Sequence, residues 1–133
     1  MRTPAKILSE AHTIALVGAS PNPSRPSHQV MRYLLGAGYR VIPVRPLVPE
    51  VLGVPCASSL GEIDEPIDLV DVFRRAEFCP QVAEDAVAAG AGALWLQLGI
   101  VSPGARAIAE AGALDYVENE CTAIVHRALA TGM

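Results

Sequence analysis

Short apolar runs alternate with amphipathic stretches along the whole chain. Thr13–Val17 (TIALV) is an apolar, partly β-branched run stopped by Gly18, the pattern of a strand buried on both faces. Arg40–Val44 (RVIPV), residues 68–73 (DLVDVF) and residues 93–97 (ALWLQ) repeat it, and residues 114–117 form a shorter fifth candidate. Helical spacing fills the intervals. Residues 4–11 read as a short leading helix, and HQVMRYLLGAG places Val30, Tyr33 and Leu34 on one face, with Gly36 and Gly38 as C-terminal caps. Residues 77–90 carry an alanine-rich face, residues 103–112 have Pro103 near the first turn, and residues 121–130 close the chain. Between strands two and three, RPLVPEVLGVPCASSLGEIDEP predicts an irregular crossover with one short turn of helix or strand.

Strands alternating with helices at this spacing form successive βαβ units. They predict a parallel sheet of about five strands with helices on both faces, a three-layer, Rossmann-like α/β fold in one domain spanning residues 1–133. In such sheets ligands lie beyond the carboxyl ends of the strands, where the winding direction reverses. The residues just after strands one to four are therefore the candidate contacts.

After strand one comes Gly18-Ala19-Ser20, and Arg25-Pro26-Ser27 opens the next helix. Gly18 permits a tight turn, the helix start offers free N–H groups, Ser20 and Ser27 add hydroxyls, and Arg25 matches a phosphate in a bidentate way. The plainer alternative is a glycine that ends a strand and a Ser27 N-cap. The dinucleotide fingerprint GxGxxG is absent, since Ser20 and Pro23 stand where its later glycines belong. Strand two ends in Val44-Arg45-Pro46, with an arginine where an NAD site places an acid, which disfavours NAD and leaves NADP or coenzyme A. Strand three ends in Val72-Phe73-Arg74-Arg75, offering an apolar face for a base and cations for phosphates. One of these arginines can equally pair with Glu77 or Asp71. Gln97, at the end of strand four, offers an amide, whereas Trp95 inside that strand reads as core.

Composition narrows the partners. Half the residues are hydrophobic (51%), enough for a sizeable core, and no apolar run approaches the roughly 18 residues of a membrane span. The start of the chain lacks the apolar stretch of an export signal. Cys56, Cys79 and Cys121 are odd in number and widely spaced, which predicts reduced thiols in a cytoplasmic protein and no metal site. A net charge of −4 argues against a generic nucleic-acid binder. His12, His28 and His126 lie far apart with no triad-like pattern around them, and His28 reads as a surface residue. No catalytic set is recognisable, so an enzyme is not expected.

GASPNPSRPS, YRVIPVRP with EVLG, DLVDVFRR, WLQLGI and ENECTAIVH together resemble the small stand-alone CoA-binding proteins, whose domain is similar to the N-terminal domain of the succinyl-CoA synthetase α subunit. The resemblance runs from about Ala5 to His126. It implies that Gly18, Ala19, Ser20 and Arg25 cradle the phosphates of coenzyme A, that Val44 to Pro46 flank the adenosine, and that Val72 to Arg74 line the nucleotide. The family often has Asn at Arg45 with a basic residue near Leu47, and commonly Arg at Glu120 and Glu at Val125; this chain departs at each of these positions. The synthetase's phosphohistidine belongs to a second domain, so ligase activity is not implied. The expected role is binding of coenzyme A or an acyl-CoA. The alternatives are a fragment of an NADP-dependent oxidoreductase, or the CoA-binding subunit of a ligase or acyltransferase whose chemistry lies on a partner chain. A homodimer is left open.

Overall fold

The computed structural model describes residues 1–132. Five parallel strands form the central sheet: β1 (Thr13–Val17), β2 (Arg40–Val44), β5 (Leu69–Val72), β6 (Ala93–Leu96) and β7 (Asp115–Val117), in the order β2-β1-β5-β6-β7. The predicted strands are all present, with ends differing by a residue or so. The third stops at Val72, and Asp68 stands just before it, its carboxylate accepting the backbone N–H groups of His12 and Thr13 at 2.8 Å each. That contact ties the entrance of β1 to its neighbour.

Side chains alternate across the sheet with period two, as a pleated strand requires. Ala15 and Val17 of β1 face one core with Val70, Val72, Leu94 and Leu96, covered by α3 (Cys79–Ala88) and α4 (Pro103–Ala111). Ile14 and Leu16 face the opposite core with Leu69 and Trp95. That side is covered by α1 (Pro4–Glu10), α2 (Pro26–Gly36) and α5 (Thr122–Ala130). Every residue of β1 is buried, which accounts for its uninterrupted apolar run.

Prolines set several helix starts. Pro26 and Pro103 occupy the first turns of α2 and α4, where a missing N–H costs no helical bond. Pro80 does the same for α3, which begins at Cys79 after the 3-10 turn Ala76–Phe78 and not at residue 77. The irregular crossover contains both alternatives expected of it. A two-residue turn through Leu52 (φ 53°) and Gly53 (φ 77°) joins β3 (Glu50–Val51) to β4 (Val54–Pro55) as an antiparallel hairpin, and Leu60–Glu62 is a 3-10 turn.

The winding reverses between β1 and its neighbour β5. There Gly18 donates its N–H to the Val44 carbonyl (3.1 Å), and Phe73 donates to the Val17 carbonyl (2.8 Å), locking the three strand ends together. Gly18 has φ 86°, and a Cβ there would lie 2.4 Å from the Phe73 carbonyl oxygen. Gly18→Ala therefore meets both a disfavoured backbone conformation and a backbone collision, and should lower unfolding free energy by about 2–4 kcal/mol. Urea denaturation checks this; a loss below the roughly 0.5 kcal/mol typical of neutral surface changes would contradict the packing described.

Candidate functional site

A cleft of about 1430 Å³ opens above the carboxyl ends of β2, β1, β5 and β6. Its walls come from the loop after each of these strands, together with the starts of α2 and α5. This is where the strand order requires a ligand site to lie.

The loop from Gly18 to Arg25 is held by its own polar groups. Ser20 Oγ accepts the Asn22 N–H (3.1 Å), and Asn22 Oδ1 accepts both the Ser24 N–H (3.0 Å) and the Ser24 hydroxyl (2.9 Å). His28 is buried, contrary to the expected surface position. Its Nδ1 lies 2.9 Å from the Ser20 carbonyl, so Nδ1 carries the proton and anchors the loop to α2. Arg25, not Ser27, is the N-cap of α2, and no side chain caps that helix start. Ser27 is buried in the first turn and lines the cleft. Arg25 and His28 donate their N–H groups to the Asn22 (3.0 Å) and Arg25 (3.1 Å) carbonyls and Pro26 has none, which leaves the Ser27 N–H as the open amide of this helix start, a feature that favours an anion.

Three arginines from three loops meet here. Arg25 stands at the helix start. Arg45, following β2, reaches over the loop and donates from a guanidinium nitrogen to the Ala19 carbonyl (3.0 Å). Arg74, following β5, has its stem beside Gly18 and its guanidinium 4.4 Å from the centre of the Phe78 ring. Among the described residues, no carboxylate pairs with any of the three. Arg75, by contrast, pairs with Glu77 (3.7 Å), as the sequence allowed for one of the two.

Other expected contacts are placed differently. Val44, Pro46 and Phe73 line the cleft, but Ala19 and Val72 are fully buried beneath it. Phe73 is half-buried against the core under α2, and it is Phe78 that lies under Arg74. Sequence reading missed Phe78; the signal was a spacing of four between it and Arg74 across a short helical turn. Gln97 is buried at the cleft floor and lines the cleft; its amide nitrogen donates to Asp71 Oδ1 (2.6 Å) and Thr122 Oγ1 (2.9 Å), so of its amide only the oxygen is left to offer. Thr122 in turn donates to Asp71 Oδ2 (2.9 Å). Asp71, fully buried in β5, thereby ties the end of β6 to the start of α5. Desolvation pushes its carboxyl up to about 7, against the two hydrogen bonds that hold it down.

Comparison with known proteins gives this site its context. Residues 12–127 match the family model described as CoA binding domain. The chain belongs to the CoA binding domain family. Within reach of that family, an uncharacterized protein of Bacillus subtilis (strain 168), YneT, is 40% identical over 131 residues, 95% of this chain and 97% of YneT. A hypothetical protein from Pyrococcus horikoshii OT3 superimposes with a TM-score of 0.92 at 37% identity, covering 97% of this chain and 93% of that one. Over 72 residues, 54% of this chain, the sequence is 32% identical to acetate–CoA ligase [ADP-forming] I of Archaeoglobus fulgidus, of which the match spans 10%. The CoA binding domain thus recurs both in chains of this size and as a small part of a much longer ligase.

The Asp71 network has a measurable signature. The native carboxyl holds its proton to a higher pH than the ordinary value of 3.8, so between about pH 4 and 7 the folded chain binds more protons than the unfolded one. Stability should fall as pH rises through this window, by on the order of a few kcal/mol. Asp71→Asn keeps the shape and can still accept the Gln97 amide on its remaining oxygen, and should remove that slope. Chemical denaturation at a series of pH values checks it; parallel profiles for the two proteins would refute the assignment.

Proposed function

We propose that this chain is a non-catalytic binder of coenzyme A or of an acyl-CoA. What carries the reading is the set of three guanidinium groups, Arg25, Arg45 and Arg74, facing one cleft with no acidic partner and standing around a helix start that no side chain caps. Unpaired cations around an uncapped helix start suit a polyanion, and charge-assisted bonds to phosphate are the strong class of hydrogen bond. Family membership makes coenzyme A the polyanion of choice.

In this arrangement the diphosphate lies over Gly18–Ser20. There the lack of a side chain at Gly18 brings backbone close, and the Ser20 hydroxyl proton has no acceptor among the described residues. Val44 and Pro46 flank the adenosine at the β2 edge, with Arg45 beside its 3′-phosphate. Arg74, held on Phe78, answers the remaining phosphate charge. The absence of an acid after β2 speaks against NAD. As for chemistry, no histidine or carboxylate among the described residues hydrogen-bonds to the hydroxyl of Ser27 or the thiol of Cys121, and the ring Nδ1 of His28 is used structurally. Neither of these two cleft-lining groups is therefore paired with a base, and the Thr122 hydroxyl that bonds to Asp71 is fully buried.

A thermal-shift series with coenzyme A, dephospho-coenzyme A and NADP tests the proposal. A ligand present at 100 times its Kd stabilises the native state by about 2.7 kcal/mol, a shift of several degrees for a chain of this length. Arg45→Ala should weaken coenzyme A about tenfold and dephospho-coenzyme A hardly at all, as expected for loss of one charge-assisted contact. The unliganded Tm reports separately on loss of the Ala19 contact. No shift at millimolar coenzyme A, or a larger one with NADP, would overturn the reading.

A further inference from the structure

The cleft changes character along its length. The side of the cleft at β2, β1 and β5 holds the arginines; its β6–α5 end is apolar. Leu98 (64% exposed) and Ile124 (56%) are among the most exposed large hydrophobic side chains of the chain, and both line the cleft. Scattered exposed apolar residues need no explanation, but two large ones at the same end of one cleft do.

These side chains are displayed by rigid backbone. Ile100 N–H donates to the Gln97 carbonyl (2.9 Å), closing a turn with Gly99 at φ 86° and Leu98 at its tip. Asn119 clamps that turn from the next loop: its side chain accepts the Gly99 N–H (2.7 Å), and its own N–H donates to the Ile100 carbonyl (3.2 Å). Ile124 projects from the first turn of α5, whose Thr122 is bonded to Asp71 and Gln97. The buried polar network therefore joins the residue before Leu98 to the residue two before Ile124. It fixes the two apolar walls relative to each other.

We infer that this end of the cleft takes the acyl group of a thioester, and that it selects unbranched apolar acyl groups of about four to eight carbons over free coenzyme A and over acyl groups ending in a carboxylate. The inference rests on the coenzyme A reading above. With phosphates at β1, the apolar end at β6 lies two strand spacings away, about 10 Å, a span the pantetheine arm bridges. A terminal carboxylate on the acyl chain would lose hydration against the Leu98 and Ile124 side chains. A methyl terminus meets surface that gains from being covered.

Isothermal titration of the whole chain with coenzyme A, acetyl-, butyryl-, hexanoyl- and succinyl-coenzyme A provides the test. Each added methylene should tighten binding about threefold, somewhat less than full burial gives. Butyryl-coenzyme A should bind at least tenfold more tightly than succinyl-coenzyme A, which has the same number of acyl carbons. Leu98→Asp and Ile124→Asp, both at exposed positions, should abolish the chain-length dependence while changing the Kd of free coenzyme A less than threefold. Equal affinity for all five ligands would overturn the acyl assignment and leave coenzyme A binding standing. So would equal losses for every ligand in Leu98→Asp, or a dimer in sedimentation that this substitution dissociates without any acyl discrimination. No binding of any of the five would overturn both readings.

Discussion

The site depends on a contact between two backbones. Where β1 ends, the chain must leave the sheet over the end of β5, and the Phe73 carbonyl stands in the way of any side chain at that point. Glycine alone passes without displacement. Because it does, the following loop lies flat across the strand ends, α2 starts above the reversal in winding, and the stem of Arg74 comes to rest beside Gly18. Arg45 closes the arrangement from the other side through the Ala19 carbonyl. A larger residue at position 18 would move all of these groups together, since each is bonded to the loop or packed on it.

The strands were legible because both faces of this sheet are covered, so that each strand reads as an unbroken apolar run. The position of the cleft followed from topology, and the cluster of glycine, serine and arginine after β1 needed no structure to be noticed. What stayed hidden were relations between side chains. A glutamine at a strand end gives no sign of a buried neighbour, and the 2.6 Å bond from the Gln97 amide nitrogen to Asp71 is visible only in the fold. Asp71 itself, set among apolar residues in DLVDVF, gave no sign that a threonine 51 positions later would complete its hydrogen bonds. Phe78 joins Phe73 at the cleft and takes the stacking contact with Arg74 because the 3-10 turn before it returns the chain there. His28 looked exposed because the Ser20 carbonyl that holds it is a main-chain group, invisible to residue patterns.

Global and local charge point in opposite directions. The chain carries four more acids than bases, yet the cleft is cationic. Salt bridges sort the cations: Arg2, Lys6, Arg40, Arg75 and Arg106 are matched with carboxylates, and Arg40 with Glu65 marks the opposite end of β2 from Arg45. Of those left over, Arg25, Arg45 and Arg74 line the cleft, whereas Arg32 on α2 and Arg127 on α5 do not. An acidic body with one cationic opening repels polyanions from most approaches and admits them at one.

The loop between Ser20 and Ser24 has a further consequence. Asn22 and its neighbours already satisfy one another, so the segment takes its shape when the chain folds and not when something arrives. The entropy of ordering it is charged against folding stability, where a large core covers it, and not against any later event in the cleft.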